Sequence, residues 1–156
     1  LQVIKTLMTT LVRERVEFVV VGGVALNLRG YARATLDLDV CYARTQENYE
    51  SLERALVPLH PRLRDVAPGL PFTLDARTLK SGLNFTLSTD AGDLDLFGEL
   101  PGVGGFAQAR ALSSPLTMDG WTVHVLDLDG LEKAKRAAGR AKDLLDLAAI
   151  EKLRGV

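Results

Sequence analysis

Asp37 and Asp39 stand two residues apart in a segment that alternates strictly, Leu36-Asp37-Leu38-Asp39-Val40. Extended backbone sends every second side chain to the same face, with i and i+2 about 6.5–7 Å apart. Leu36, Leu38 and Val40 are therefore expected to face a core, while the two carboxylates project together from the other face. Like charges this close raise each other's pKa, and a divalent cation relieves the conflict. Mg²⁺ takes one or two carboxylates and fills its remaining sites with water and phosphate oxygens. The structural alternative is an edge strand that simply carries acids on a wet face.

The elements that must position this pair lie just upstream. Val16 and Phe18 to Val21 form a short β-branched run that reads as a buried strand. Gly22-Gly23 follows at once. Two glycines permit a tight turn into a helix, here Val24 to Leu28, and let the backbone come close to a bulky group.

Strand, Gly-Gly, a gap and Asp-X-Asp on the next strand together resemble the nucleotidyltransferase superfamily, the DNA polymerase beta-like fold. Gly22-Gly23-Val24-Ala25 and Arg33-Ala34-Thr35-Leu36-Asp37-Leu38-Asp39 are similar to the pattern of small bacterial nucleotidyltransferase toxins of the abortive-infection type. The resemblance implies an α/β (α+β) fold, a mixed β-sheet flanked by helices, spanning 1–156 as a single domain. It implies transfer of a nucleoside monophosphate from an NTP to a hydroxyl, with Mg²⁺ or Mn²⁺ held by Asp37, Asp39 and a third carboxylate. A second metal shared by all three acids would activate the acceptor, and two metals about 3.5–4 Å apart stabilise both the attacking and the leaving oxygen. Gly22 and Gly23 would offer backbone N–H groups to the phosphates, with Thr35 adding a hydroxyl and Arg33 a charge. The acceptor stays open among an RNA such as a tRNA 3′ end, a partner protein and a small alcohol such as an aminoglycoside. A toxin–antitoxin or phage-defence role, with a cognate antitoxin, follows by analogy. The opposing reading is a non-catalytic nucleotide- or partner-binding module, and a metal-dependent phosphohydrolase is a further alternative.

The third acid is sought on a later strand. Leu83 to Ser88 and Asp93 to Phe97 alternate on either side of Thr89-Asp90-Ala91-Gly92, which reads as a hairpin. Asp95-Leu96-Phe97-Gly98 lies in register with the relatives' Asp-Leu-Leu-Gly, so Asp95 is assigned. Asp93, on the same face, is its competitor. The glycine-rich Pro101 to Phe106 lacks both the dinucleotide fingerprint and the P-loop lysine, and reads as a mobile loop beside the site. A third Asp-Leu-Asp, at Asp127 to Asp129, is a helix N-cap with its first turn and is excluded. Arg140 and Lys142 open the last helix, where the dipole is positive. They either serve neighbouring structure, with Asp143 offsetting Lys142, or form an anion site fit for a triphosphate. The relatives' similar Arg-X-Lys-Asp segment favours the second reading.

The bulk of the chain adds limits. It has 156 residues, 47% of them hydrophobic and 25% charged, with net charge −1. That is ordinary globular composition with room for a core, and no overall field recruits nucleic acid. The segment 131–154, with seven basic and four acidic residues, is its basic face. Cys41 is the only cysteine and reads as a small buried residue. No apolar run approaches the ~18 residues that would span a membrane, and no signal peptide is visible, so a cytoplasmic protein without membrane partners is expected. The chain starts at Leu1, which leaves its natural start open.

Helices are expected over 1–15, from the Thr45 cap to about Val57, over 131–138 and over 141–154. In the last, Leu144, Leu145, Leu147, Ala148, Ile150 and Leu153 would form a wide buried face. Residues 58–82, broken by four prolines and mildly basic through Arg62, Arg64, Arg77 and Lys80, read as a surface connection. The alternative is one wall of the cleft. Trp121 to Leu126 is a further strand. His60 and His124 read as surface residues.

Overall fold

The structure, a computed structural model, describes residues 2–67 and 69–155. Seven strands form one mixed sheet in the order β3-β4-β5-β2-β1-β7-β6. They are β1 (Phe18–Val21), β2 (Asp37–Tyr42), β3 (Arg62–Leu63), β4 (Asn84–Thr89), β5 (Gly92–Phe97), β6 (Ser113–Met118) and β7 (Trp121–Leu126). The helices are α1 (Gln2–Arg13), α2 (Gly22–Leu28), α3 (Gln46–Leu56), α4 (Ala76–Ser81), α5 (Phe106–Ala111), α6 (Leu128–Ala138) and α7 (Ala141–Leu153). This is the α+β sheet-and-helix fold expected. No helix among the described residues is long and apolar enough to cross a membrane.

The centre of the sheet is β5-β2-β1-β7. β2 runs parallel to β5 and antiparallel to β1, and β1 runs parallel to β7. All four residues of β1 are buried, as befits a strand covered on both faces. On α1, Ile4, Leu7, Met8 and Leu11 are buried at helical spacing. Leu1 and the side chain of Val3 lie outside the described residues. Thr45 caps α3 by accepting from the Asn48 N–H, and the helix buries Tyr49, Leu52 and Leu56 before a 3₁₀ turn at Val57–Leu59 ends it. Asp127 caps α6 and Gly139 terminates it at φ +63°. The hairpin β4–β5 closes with Asp90 and Ala91 between Thr89 and its partner Gly92.

Several elements differ from expectation. First, β2 begins only at Asp37, where pairing with Asp93 starts, and Leu36 is 85% exposed. Second, 58–82 contains a short edge strand, β3, and the helix α4, whose cap Asp75 accepts from the Thr78 N–H. Leu79 anchors α4 in the core, and Pro68 lies outside the described residues. Third, β6 was not expected; Pro115 is tolerated there because the strand is an edge. Fourth, the glycine-rich stretch is a closed turn. Leu100 and Gly104 exchange two backbone hydrogen bonds of 2.7 and 2.9 Å, and α5 follows.

The largest difference is the orientation of α7. Leu144 and Leu145 are exposed, and Asp143, Asp146, Ala149 and Ile150 face inward. Charge pairing sets this rotation. Asp146 takes both oxygens to Arg33 Nη1 at 2.6 Å and lies 3.0 Å from Lys135 Nζ, while Asp143 pairs with Arg140 at 2.8 Å and Lys135 at 3.4 Å. Buried charge is expensive unless paired, so once these cations stand beside the helix the acids turn inward and the leucines outward. Leu145→Glu should therefore change stability by no more than about 0.5 kcal/mol, the usual range for exposed positions; a urea melt checks it.

Candidate active site

The acids meet because of register. Parallel pairing of β2 with β5 sets Asp37 opposite Asp93 and Asp39 opposite Asp95. Partners in register point to the same face, so all four carboxylates share one side of the sheet. Asp37 and Asp93 are partly exposed, Asp95 less so. Asp39 sits deepest. Its Oδ1 is buried and meets no hydrogen-bond partner. Burial first, then the charges of Asp95 and Asp37, push the Asp39 carboxyl up to about 7. Lys135 pulls the other way. Asp95 is raised as well by burial, with Arg64 opposing.

The two glycines make room for this cluster. A Cβ on Gly22 would lie 2.2 Å from Asp39 Oδ2, and Gly22 has φ +66°, a conformation that L side chains rarely adopt. A Cβ on Gly23 would lie 2.9 Å from Thr35 Oγ1. Gly22→Ala should cost about 2 kcal/mol or more through left-handed strain and the clash, and should displace the Asp39 carboxylate. The expected result is a lowered Tm together with lost divalent-cation binding; an unchanged Tm would contradict the packing described.

Beside Asp39 a cleft of about 260 Å³ is lined by Gly22, Asp39, Phe97, Leu100, Leu131, Lys135 and Arg140, among others. Of the residues singled out in the sequence, Gly22, Asp39 and Arg140 line it, and Asp37 and Asp95 flank Asp39 on the sheet. Thr35 donates to the Asp37 carbonyl at 3.3 Å. Arg33 is not brought to the cleft wall; it is committed to Asp146. Lys142 is exposed and does not line the cleft either. Cys41 is buried, its thiol pushed up to about 11 by burial, which suits a packing role. His60 pairs with Asp90 at the tip of the β4–β5 hairpin, and His124 is half-buried on β7; neither lines the cleft.

Two residues were not assigned from sequence. Lys135, only 8% exposed, holds its ammonium between the cleft and the acids of α7. Its position on the inward stripe of α6 was the available signal. Arg64, just past β3, bonds Asp95 and lies 3.4 Å from Asp93 and 4.0 Å from Asp37. Only its basic character within an irregular segment hinted at this.

Asp143 carries a pH signature. Burial raises its pKa, but hydrogen bonds from the Arg140 side chain and backbone, with Lys135 nearby, win and hold the carboxyl below its ordinary value. A depressed acid contributes stability that is fully present above its unfolded pKa and is lost as pH falls through the folded one. Asp143→Asn should therefore destabilise the protein near pH 7 and flatten the acid limb below about pH 4, read from denaturant melts across pH.

No protein-family model matches the chain, and no curated protein matches it in sequence. Solved structures do match. A protein of Thermotoga maritima, provisionally assigned as a nucleotidyltransferase, aligns at a TM-score of 0.59 with 17% identity, covering 93% of this chain and 88% of that one. ANT(2″)-Ia, solved in complex with adenylyl-2″-tobramycin, aligns at 0.58 with 14% identity, covering 97% and 92%. With the mixed sheet, the Gly-Gly turn and the acids in register, the chain has the nucleotidyltransferase fold.

Proposed function

We propose that this chain is a metal-dependent nucleotidyltransferase that moves a nucleoside monophosphate from an NTP to a hydroxyl. The observation that carries the reading is Asp39: a half-buried aspartate whose Oδ1 is buried without a partner, beside two further carboxylates and a cleft bearing Lys135 and Arg140. Such a donor set suits a hard cation. Asp37 and Asp39 would hold Mg²⁺ or Mn²⁺, which when bound neutralises phosphate charge and orients the α-phosphorus for in-line attack.

The chain's own groups divide the remaining work. Lys135 and Arg140 face the cleft with positive charge for the triphosphate. Gly22 opens the strand-to-helix turn, where N–H groups can meet an anion. Asp95 has its carboxylate on the same face and would take the proton of the attacking hydroxyl. The apolar walls, Phe97, Leu100 and Leu131, limit water in the cleft.

For the acceptor, a tRNA 3′ end or a partner protein hydroxyl fits the resemblance to toxin-type relatives, with an antitoxin as regulator. ANT(2″)-Ia, whose complex holds an adenylylated aminoglycoside, supports a small polyhydroxyl acceptor as well. A non-catalytic binding module is the second reading, favoured by one observation: Arg64 already supplies the acids with a cation. Calorimetry separates the two. Mg²⁺-dependent NTP binding that is lost in Asp37→Ala supports the active site. Binding that survives with unchanged affinity overturns the assignment of the metal position.

A further inference from the structure

The resemblance places two metals among Asp37, Asp39 and Asp95. The structure places a guanidinium there. From the geometry we infer that Arg64 takes the second cation position, so that this chain binds one divalent ion, at Asp37 and Asp39, with Arg64 as the fixed charge on the Asp95 side. This inference rests on the transferase reading above.

Arg64 reaches the site through the sheet. β3 pairs with β4 by Arg62 opposite Ser88 and Leu63 opposite Leu87. The Arg64 N–H continues that ladder, donating to the Thr86 carbonyl at 2.9 Å. Thr86 is the register partner of Asp95, and Asp95 is the partner of Asp39. Arg64, Thr86, Asp95 and Asp39 thus occupy one rung, and the Arg64 side chain crosses Thr86 to the acids. It is fixed on several sides: Nη2 donates to Asp95 Oδ1, Nη1 donates to the Leu87 carbonyl at 3.0 Å, and Asp93 and Asp37 lie at 3.4 and 4.0 Å. The side chain is only 17% exposed.

A guanidinium keeps its charge at every ordinary pH and grips carboxylates through a planar fork. A divalent ion shared by Asp95 and Asp37 would have to displace it or sit against it, cation beside cation in a partly buried place. Asp39, by contrast, keeps an oxygen without a partner. The chain itself supplies the cation on the Asp95 side.

Mn²⁺ titration of the full chain, followed by electron paramagnetic resonance, tests this without reference to turnover. Wild type should bind one Mn²⁺, Arg64→Gln two, and Arg64→Lys one. Asp95→Asn in the Arg64→Gln background should return the count to one. Circular dichroism confirms that each variant is folded, and Arg64→Ala serves if the glutamine variant is not. Two Mn²⁺ ions on wild type, or one on both the Gln and the Ala variant, would overturn the inference while leaving the transferase reading intact. No bound Mn²⁺ on wild type would overturn both.

Discussion

Asp39→Asn should lower kcat/KM for nucleotidyl transfer by about 10³-fold or more, and the metal-free variant should be more stable than wild type. The first effect follows from what the carboxylate would hold. Removing one preorganised electrostatic group at a centre of developing charge typically costs about 10²–10³ in rate, and losing the cation adds to that. The second effect follows from what Asp39 costs the empty fold. One of its carboxylate oxygens is buried without a partner, and burial and the charges of Asp95 and Asp37 push its pKa up to about 7. An unsatisfied buried polar group costs about 1–3 kcal/mol, more when charged. Asparagine keeps the shape, drops the charge and offers an N–H₂ to Asp95. For a chain of this size each kcal/mol moves Tm by about 2–4 °C, so the gain is measurable by calorimetry. A protein that is at once more stable and inactive is the mark of a residue kept for chemistry; a lower Tm would place Asp39 in the structural core instead.

Asp146→Ala should do the opposite. Asp146 is 2% exposed and ties Arg33, from the loop before β2, and Lys135, from α6, to α7. Removing one partner of a buried ion pair leaves uncompensated charge and costs about 3–5 kcal/mol. Here Arg33 loses its carboxylate, while Lys135 keeps only Asp143 at 3.4 Å. Tm should fall by about 6 °C or more, with urea unfolding shifted to match. Asp146→Asn, which keeps hydrogen-bond acceptance, should lose less. Because Lys135 also faces the cleft, the alanine variant should weaken NTP binding as well. A fall in stability below about 1 kcal/mol would show that packing of Ala149 and Ile150, not charge, fixes α7.

How far the sequence revealed these features depends on whether a local rule governed them. β1, β2 and the β4–β5 hairpin were legible because alternation and turn chemistry act over a few residues. The caps Thr45, Asp127 and Gly139 were legible for the same reason. Asp37 and Asp39 could be paired because a strand face is a period-two property, whereas Asp95 joined them only through the resemblance; the parallel register of β2 with β5 sets Asp39 beside Asp95. Leu36 escaped this logic because its strand starts one residue later, where pairing starts. α7 misled because hydrophobic periodicity assumes that leucine is the costliest side chain to expose. A network of three cations around two buried acids reversed that order. Arg64 was hidden because its role comes from a two-residue edge strand in a proline-broken stretch, and such a strand exists only once β4 is there to pair with it.

The most direct measurement follows the α-phosphate. The protein is incubated with each α-labelled NTP, Mg²⁺ or Mn²⁺, and separate pools of total tRNA, cell protein and aminoglycosides, beside an Asp37→Ala/Asp39→Ala control. Label should pass to one pool with release of pyrophosphate, and the control should transfer none. No label in any pool from a wild-type protein that binds NTP, or equal label from the control, would contradict the account.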